Sequence, residues 1–218
     1  MDKVDLALVL ALDGSGSVRF EEFNLMAGAM GAALRDPEVV AALLAGPVGA
    51  SLGALLLWSG AGLQAVLVEW TRIGSPAEAE AFARAVADVP RLVQPGATAI
   101  GEALLAAGRL LAGAPAESAR QVVDVIGDGR SNSGTPPSPV RDALARAGVT
   151  INGLCVLHEE ADLLDSYERE VIGGPGAFVL PCPDYAAFAD AMRRKLLREL
   201  VLSAAAPDRP ASGFPRRP

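Results

Sequence analysis

Residues 4–17 read VDLALVLALDGSGS, and this stretch decides the fold. Residues 4–12 are almost all apolar, which is the pattern of a strand buried on both faces near the centre of a sheet. Asp13 ends the strand, and a glycine-rich loop with two hydroxyls follows it. The stretch therefore predicts a central strand that delivers polar groups to one edge of a sheet.

Outward from this strand, apolar runs of strand length alternate with segments of helical period. This alternation predicts an α/β sandwich with a mostly parallel sheet. The short SGAG link at residues 59–62 joins two runs into a hairpin, so one edge of the sheet should be antiparallel. Strands are predicted at 52–58, 64–73, 121–126, 150–157 and 177–180, and helices at 23–34, 37–44, 75–89, 100–111, 136–147, 159–171 and 184–202.

Length and composition indicate one globular domain. The 218 residues are 51% hydrophobic and 21% charged, as in soluble folded proteins. A chain of this length buries roughly 70% of its unfolded surface, so its core needs no disulfide or structural zinc. We expect the domain to span residues 3–202. Residues 203–218 turn to Ala, Pro, Gly and Arg, which predicts a disordered C-terminal tail.

Charge and hydropathy exclude two classes of partner. The net charge is −7, with only 19 Lys plus Arg, whereas phosphate binding needs a concentrated basic face. No apolar run reaches the ~20 residues of a membrane span. Residues 4–12 begin too close to Met1 to follow the charged leader of a signal peptide. We therefore expect no nucleic-acid partner, no membrane span and, for the chain as written, a cytoplasmic location.

The sequence contains two cysteines and one histidine. Cys155, Cys182 and His158 are the only cysteines and the only histidine, so a four-ligand Cys/His zinc site cannot be assembled. Two interpretations of the cysteines stay open at this point: core-facing thiols on strands, or a disulfide in an oxidising compartment.

Oxygen side chains follow two buried strands and precede one helix. Asp13, Ser15 and Ser17 stand at alternate positions, Thr98 precedes the helix at 100–111, and Asp128 lies between two glycines after the strand at 121–126. Taken singly, each of these residues is also typical of a turn or a helix cap. Because ligands in parallel sheets bind at the carboxyl ends of strands where the winding reverses, we expect the five to meet. Such oxygens suit a hard cation, magnesium by preference, with manganese or calcium as alternatives.

The D-x-S-x-S stretch, the later threonine loop and the later aspartate loop resemble the metal-ion-dependent adhesion site of von Willebrand factor A domains, including integrin I domains. The resemblance implies a three-layer, doubly wound six-stranded sheet in the order 3-2-1-4-5-6, with strand 3 antiparallel. It also implies that Ser15, Ser17 and Thr98 hold the metal by hydroxyl, and that Asp13 and Asp128 hold it directly or through water. A carboxylate of a protein partner would complete the shell, so the implied function is metal-dependent protein binding, without catalysis.

More narrowly, the chain resembles a bacterial family of such domains labelled as of unknown function. The resemblance rests on VDL at 4–6, PEVV at 37–40, GDG at 127–129, NSG at 132–134, INGL at 151–154 and VIGGPGAF at 171–178. Members usually begin with an export signal, which this sequence lacks. The family would therefore imply an exported or periplasmic protein if a leader has been trimmed, and Cys155 and Cys182 could then pair.

The strongest enzyme alternative is an α/β serine hydrolase. Ser15, Asp128 and His158 occur in the chain order of its catalytic triad, each after a strand. Asp13, however, stands where the G-x-S-x-G nucleophile turn needs glycine.

Two further enzyme classes fit poorly. An aspartyl-phosphate enzyme needs a second acid where Ser15 stands and a lysine partner, and neither Lys3 nor Lys195 lies on a plausible active-site loop. Dinucleotide binding needs G-x-G-x-x-G after the first strand, where this chain has DGSGS.

Overall fold

The structure is a computed structural model that describes residues 2–158, 160 and 162–204. Helices alternate with strands along almost the whole chain. The strands are β1 (Lys3–Asp13), β2 (Ser51–Trp58), β3 (Gln64–Ile73), β4 (Glu117–Gly127), β5 (Thr150–Val156) and β6 (Val179–Cys182). The helices are α1 (Phe20–Arg35), α2 (Pro37–Leu43), α3 (Pro76–Ala87), α4 (Ile100–Ala112), α5 (Pro137–Arg146), α6 (Leu163–Ser166) and α7 (Phe188–Ala204).

The six strands form one sheet in the order β3-β2-β1-β4-β5-β6. Strand β3 is antiparallel to β2, and all other neighbours are parallel. The predicted fold class is thereby confirmed. The winding direction reverses between β1 and β4, which places a crevice at the carboxyl ends of these two strands. Asp13 ends β1 in that crevice, and Asp128 follows β4 there.

Helices cover both faces of the sheet because the central strands are apolar on both sides. Alternate residues of β1 point in opposite directions. Leu8 and Leu10 pack with α1, α3 and α7, whereas Val9 and Ala11 pack with α4 and the segment from Leu163 to Val171. The result is the expected three-layer sandwich with two hydrophobic layers.

Local capping explains where two of the helices begin. The Asp36 carboxylate accepts hydrogen bonds from the backbone N–H groups of Glu38 and Val39, and proline opens α2 directly after it. Ser75 caps α3 in the same way, again followed by proline. These caps separate α1 from α2 and turn the chain from β3 into α3.

Several element boundaries differ from the predicted ones, among them those of β4, β6 and the helix predicted at 159–171. Strand β4 begins at Glu117, earlier than expected, because Lys3 of β1 offers it a parallel partner there. Strand β6 is Val179–Cys182, where 177–180 was predicted. The helix predicted at 159–171 consists of the short α6 and a π-helical turn, Tyr167–Val171, and residues 159 and 161 lie outside the described residues.

The C-terminal helix α7 extends to Ala204, two residues beyond its predicted end. The disordered tail was predicted at 203–218, but residues 203 and 204 belong to α7, and the rest of the predicted tail lies outside the described residues. In the part of the chain that the structure describes, no helix is both long enough and apolar enough to cross a membrane.

Cys155 and Cys182 are buried free thiols at the ends of β5 and β6. Cys155 contacts the backbone oxygen of Leu180, and Cys182 that of Asp184. Burial raises the pKa of the Cys155 thiol to about 12 and that of Cys182 to about 11. Of the two interpretations left open by the sequence, the structure shows core-facing thiols.

Candidate metal site

The loop after β1 folds around the Asp13 carboxylate. Asp13 is fully buried, and its Oδ1 accepts a hydrogen bond from the Ser15 backbone N–H at 2.7 Å. This turn brings the hydroxyl of Ser15 to 3.2 Å from that of Ser17. The Gly14 N–H donates to the Trp58 carbonyl and the Gly16 N–H to the Gly96 carbonyl. The loop is therefore fixed on one side by β2 and on the other by the segment that carries Thr98.

Asp128 joins the second loop to the first. Its Oδ1 accepts a hydrogen bond from the Ser17 hydroxyl at 2.6 Å, and its Oδ2 accepts one from the Tyr185 hydroxyl at 2.8 Å. The carboxylate is almost fully buried. Four of the predicted ligands, Asp13, Ser15, Ser17 and Asp128, are thus connected through hydrogen bonds and chain neighbours.

Thr98 lies beside them on the third loop. Its backbone N–H donates to Asn132 Oδ1 at 2.9 Å, and its carbonyl accepts from the Asn132 N–H at 2.8 Å. Helix α4 is capped at Ala99 without any side-chain cap, so the Thr98 hydroxyl is not the helix cap that its position suggests. Its Oγ1 and Ser17 Oγ lie 3.6 and 3.9 Å from the point that a Cβ on Gly129 would occupy. The structure brings the five predicted residues together.

Within the described part of the chain, Asp13 and Asp128 have no positively charged partner. Burial, and after it the charge of Asp128, raise the pKa of Asp13 to about 7. Asp13 Oδ2 is buried without a hydrogen-bond partner. Among the described residues, neither Asp13 nor Asp128 forms an ion pair with a lysine or arginine. A bound cation would supply the missing charge, so this donor set fits one.

The chemistry of the donors narrows the type of ion. In the described part of the chain, no group of three or more His, Cys, Asp or Glu side chains is placed to hold a metal. The site offers two carboxylates, and its other side-chain donors are hydroxyls. Hard divalent cations that keep several waters, magnesium above all, bind such sets.

A third carboxylate, that of Glu160, lies at the edge of the candidate metal site and forms an ion pair with Arg130. Glu160 Oε1 is 3.8 Å from the same Gly129 reference point as Thr98 and Ser17. Its other oxygen accepts from Arg130 Nε at 3.0 Å, and Arg130 also pairs with Asp162. Glu160 therefore has a protein counter-charge that Asp13 and Asp128 lack.

Three further residues shape the site; sequence reasoning missed Tyr185 and Arg91, and Asn132 entered it only as part of the NSG stretch at 132–134. Tyr185 reaches Asp128 from the turn before α7, and Asn132 fixes the Thr98 backbone. Arg91 Nη2 donates to the carbonyls of Gly14 and Ser15, at 2.9 and 2.8 Å, and so holds the first loop from below. These are contacts between distant segments, and no local spacing in the sequence signals them.

The hydrolase triad does not assemble. His158 is exposed, and its ring packs edge-on against Tyr185, with 6.0 Å between ring centroids. Within the residues that the structure describes, His158 makes no hydrogen bond with Ser15 or Asp128. The nucleophile–base contact on which such an enzyme depends is missing from this geometry.

A family model described as protein of unknown function DUF1194 matches residues 3–204, almost the whole chain. The chain belongs to the DUF1194 family. No curated protein matches this DUF1194 chain. Its family was the narrower of the two resemblances that the sequence motifs indicated.

Solved structures similar to the DUF1194 chain are von Willebrand factor A domains. The von Willebrand factor type A protein from Catenulispora acidiphila matches with a TM-score of 0.60 and 19% identity, over 91% of this chain and 43% of that one. Proximal thread matrix protein 1 of the mussel byssus, with a zinc-occupied MIDAS motif (metal-ion-dependent adhesion site), gives 0.60 and 17%, over 92% and 48%. The von Willebrand factor domain of the pilus tip protein Mfa5 from Porphyromonas gingivalis gives 0.62 and 11%, over 95% and 98%.

At these identities the likeness establishes the fold. The chain spans less than half the length of the first two of these relatives. The DUF1194 chain therefore shares one domain with them, and that domain is the von Willebrand factor A fold with its crevice at the β1 and β4 ends.

Proposed function

We propose that this chain is a protein-binding module that holds one divalent cation, magnesium by preference, and uses it to bind an acidic group of a partner. One observation carries the proposal. Asp13 and Asp128 form a buried acid pair, linked through the Ser15 backbone N–H and the Ser15 and Ser17 hydroxyls, and among the described residues neither acid is paired with a lysine or arginine. A buried pair of acids is unfavourable unless a counter-charge is provided.

The five oxygens have distinct tasks in this proposal. The hydroxyls of Ser15, Ser17 and Thr98 hold the ion directly or through water, and the carboxylates of Asp13 and Asp128 supply the negative charge. When bound, the ion would supply positive charge, and the three hydroxyls that hold it would not cancel this charge because they are neutral. An incoming carboxylate is then the natural last ligand, because hard cations prefer oxygen anions.

Exposed apolar side chains flank the same loops and suit a protein partner. Phe20, three residues after Ser17, is 60% exposed. Leu92, next to the Arg91 that holds the metal loop, is 68% exposed. Aromatic residues are enriched at protein–protein interfaces, so an exposed phenylalanine beside the metal loop suits a protein partner.

The structural relatives support the same direction. The mussel protein is described with zinc in its MIDAS motif, and Mfa5 is a pilus tip protein. By analogy we propose an adhesion or scaffold role outside the cytoplasm, without catalysis, and this fold-level analogy is weaker support than the acid pair.

Metal-dependent unfolding tests the site. The chain is melted in chelator and then in magnesium, manganese or calcium, alongside Asp13→Ala and Asp128→Ala. An ion at ~100 times its dissociation constant should stabilise the wild type by about 2.7 kcal/mol, and neither variant should respond. A wild type that does not respond to any of the three ions contradicts the proposal.

A peptide array tests the partner chemistry. Random peptides containing Asp or Glu are paired with copies in which each acid is replaced by its amide. We expect retention of acidic members only, lost in chelator and lost for Asp128→Ala. Equal retention of the amide copies would show that the ion does not bind a partner carboxylate.

A further inference from the structure

Tyr167 lies beneath the candidate metal site in a space that two glycines leave open. It begins the π-helical turn Tyr167–Val171, a kind of irregularity often found at functional sites, and its side chain is fully buried. A Cβ on Gly153 of β5 would stand 2.8 Å from Tyr167 Cδ1, and one on Gly127 of β4 would stand 2.9 Å from the Tyr167 hydroxyl oxygen. Glycine weakens buried strands, so its presence at both positions marks the close approach of this ring.

The same point on Gly127 locates an oxygen of Asp13. The Cβ position of Gly127 is 2.8 Å from Asp13 Oδ2 and 2.9 Å from the Tyr167 hydroxyl. Both atoms are buried, and neither has a hydrogen-bond partner. Unsatisfied buried polar atoms are rare in proteins, and here a donor and an acceptor flank one point. The other oxygen of Asp13 already accepts from the Ser15 N–H.

We propose that Tyr167 is a positioning residue of the metal site, whose hydroxyl donates a hydrogen bond to Asp13 Oδ2 directly or through one buried water. The inference rests on the proposed function and adds to it a residue outside the metal-binding motif. Each acid of the site then has its own tyrosine, since Tyr185 donates to Asp128 Oδ2 at 2.8 Å.

A phenol suits this task better than a cationic side chain. It orients a carboxylate without neutralising it, so the negative charge of the acid pair is kept for the ion. A phenolic hydroxyl keeps its proton at neutral pH, so it remains a hydrogen-bond donor. Hydrogen bonds of this kind to a metal-site carboxylate typically change metal affinity 10- to 100-fold.

Tyr167→Phe tests the proposal because it removes one oxygen and keeps the ring in its glycine-lined space. Manganese binding is measured by calorimetry, and unfolding by denaturant is measured in chelator. We expect the dissociation constant for manganese to rise about tenfold, while unfolding in chelator changes little. Trp70→Phe is the matched control, because it removes the hydrogen bond from Trp70 Nε1 to the Leu110 carbonyl without touching the loops. Its manganese affinity should equal that of the wild type.

A spectroscopic measurement separates positioning from packing. Tyr167 and Tyr185 are the only tyrosines, so in Tyr185→Phe any tyrosine signal comes from Tyr167. Saturating manganese should then give a tyrosine difference spectrum that disappears when Tyr167→Phe is added. Unchanged manganese affinity in Tyr167→Phe, with a metal-binding wild type, overturns the role of Tyr167 alone. Failure of the wild type to bind manganese overturns the metal site itself.

Discussion

Two pairs of buried acids, Asp124 with Glu199 and Asp13 with Asp128, each have one member on or next to β4, and they differ in how their charge is balanced. Asp124, in the middle of β4, faces α7 and forms an ion pair with Lys195, whose Nζ is also 3.2 Å from Glu199 Oε2. All three side chains are fully buried. Asp13 and Asp128, at the ends of β1 and β4, are equally buried but have hydroxyls around them instead of an ammonium group.

The difference separates a structural ion cluster from a binding site. Burial alone would lower the pKa of Lys195, but Asp124 and Glu199 outweigh it and raise the pKa, so the ammonium stays charged. At the other pair, burial and Asp128 raise the pKa of Asp13 to about 7. We propose that the chain fixes the counter-charge permanently at Lys195 and leaves it to an exchangeable ion at the Asp13–Asp128 pair.

Removing the fixed cation should have the largest effect. Lys195→Met leaves Asp124 and Glu199 buried without their ammonium group, and breaking a buried pair in this way destabilises by about 3–5 kcal/mol. Chemical denaturation measures the loss, which should be the same with and without magnesium. Arg194→Met is the control on the same helix, because its pair with Asp190 is exposed and should contribute under about 1 kcal/mol. Equal effects of the two changes would contradict the contrast between the clusters.

The same amide substitution should behave differently in the two pairs. Asp13→Asn keeps the acceptor for the Ser15 N–H and removes a charge, so in chelator its free energy of unfolding should equal or exceed that of the wild type. In saturating magnesium it should lack the gain of about 2.7 kcal/mol that the wild type shows at ~100 times the dissociation constant. Asp124→Asn should be less stable than the wild type in both conditions. If Asp13→Asn also loses stability in chelator, the acid pair is stabilised by the protein itself.

Of the two acid pairs, only Asp13 and Asp128 were predicted from the sequence. Asp13 and Asp128 follow strongly apolar strands, so their meeting could be predicted from strand order alone. The Asp124 cluster could have been suspected, since an acid inside an apolar strand needs a buried partner. Lys195 and Glu199 lie three residues after Met192 and Leu196 and therefore fall on the buried stripe of α7. Only tertiary packing reveals which strand that stripe faces.

The ionisation of Glu199 makes the fixed cluster sensitive to pH. Burial, and after it Asp124, raise the pKa of Glu199 from 4.5 to about 8, with Lys195 opposing the rise. Arg120 of β4 also contacts this residue, through the Glu199 carbonyl. Between these two pKa values the unfolded state has lost a proton that the folded state keeps, so stability falls as the pH rises from about 4.5 to about 8.

The slope measures this effect. One proton retained on folding changes the free energy of unfolding by about 1.4 kcal/mol per pH unit. Denaturation from pH 5.5 to 7.5 in saturating magnesium should show the wild type losing stability faster than Glu199→Gln, which cannot ionise. Parallel curves for the two proteins would mean that Glu199 is already ionised in the fold.

Arg91 shows why the supporting residues of the metal site lay beyond sequence reasoning. It precedes α4 by nine residues and contacts a loop 76 positions earlier in the chain, through carbonyl groups that any residue possesses. A contact to backbone carbonyls therefore cannot be recognised from a sequence motif. Tyr185 was hidden for a related reason, because its partner Asp128 follows a strand that only the folded sheet brings near.

Substituting Arg91 should have the smallest effect of these changes. It tests whether the protein itself holds the loop after β1 in place. Its Nη2 donates to the carbonyls of both Gly14 and Ser15, and because the lysine side chain is one bond shorter, its ammonium should not reach the same position. Arg91→Lys should weaken magnesium binding a few-fold, as expected from the loss of about 1 kcal/mol of hydrogen bonding. Arg84→Lys, on the exposed face of α3, is the control and should bind as the wild type does.

The stability of Arg91→Lys in chelator decides how the loop is held. If the loop is ordered before the ion arrives, the variant should lose stability in chelator as well as affinity for magnesium. If the ion itself orders the loop, stability in chelator should be unchanged and the whole loss should appear on binding. The bonds from Gly14 to Trp58 and from Gly16 to Gly96 join backbone groups and use none of the proposed metal-binding side chains, which favours the first result. The candidate metal site would then be ordered by the protein alone, as the Asp124–Lys195–Glu199 cluster is. The two sites would differ only in the origin of the cation, which is a lysine in the cluster and a bound ion in the metal site.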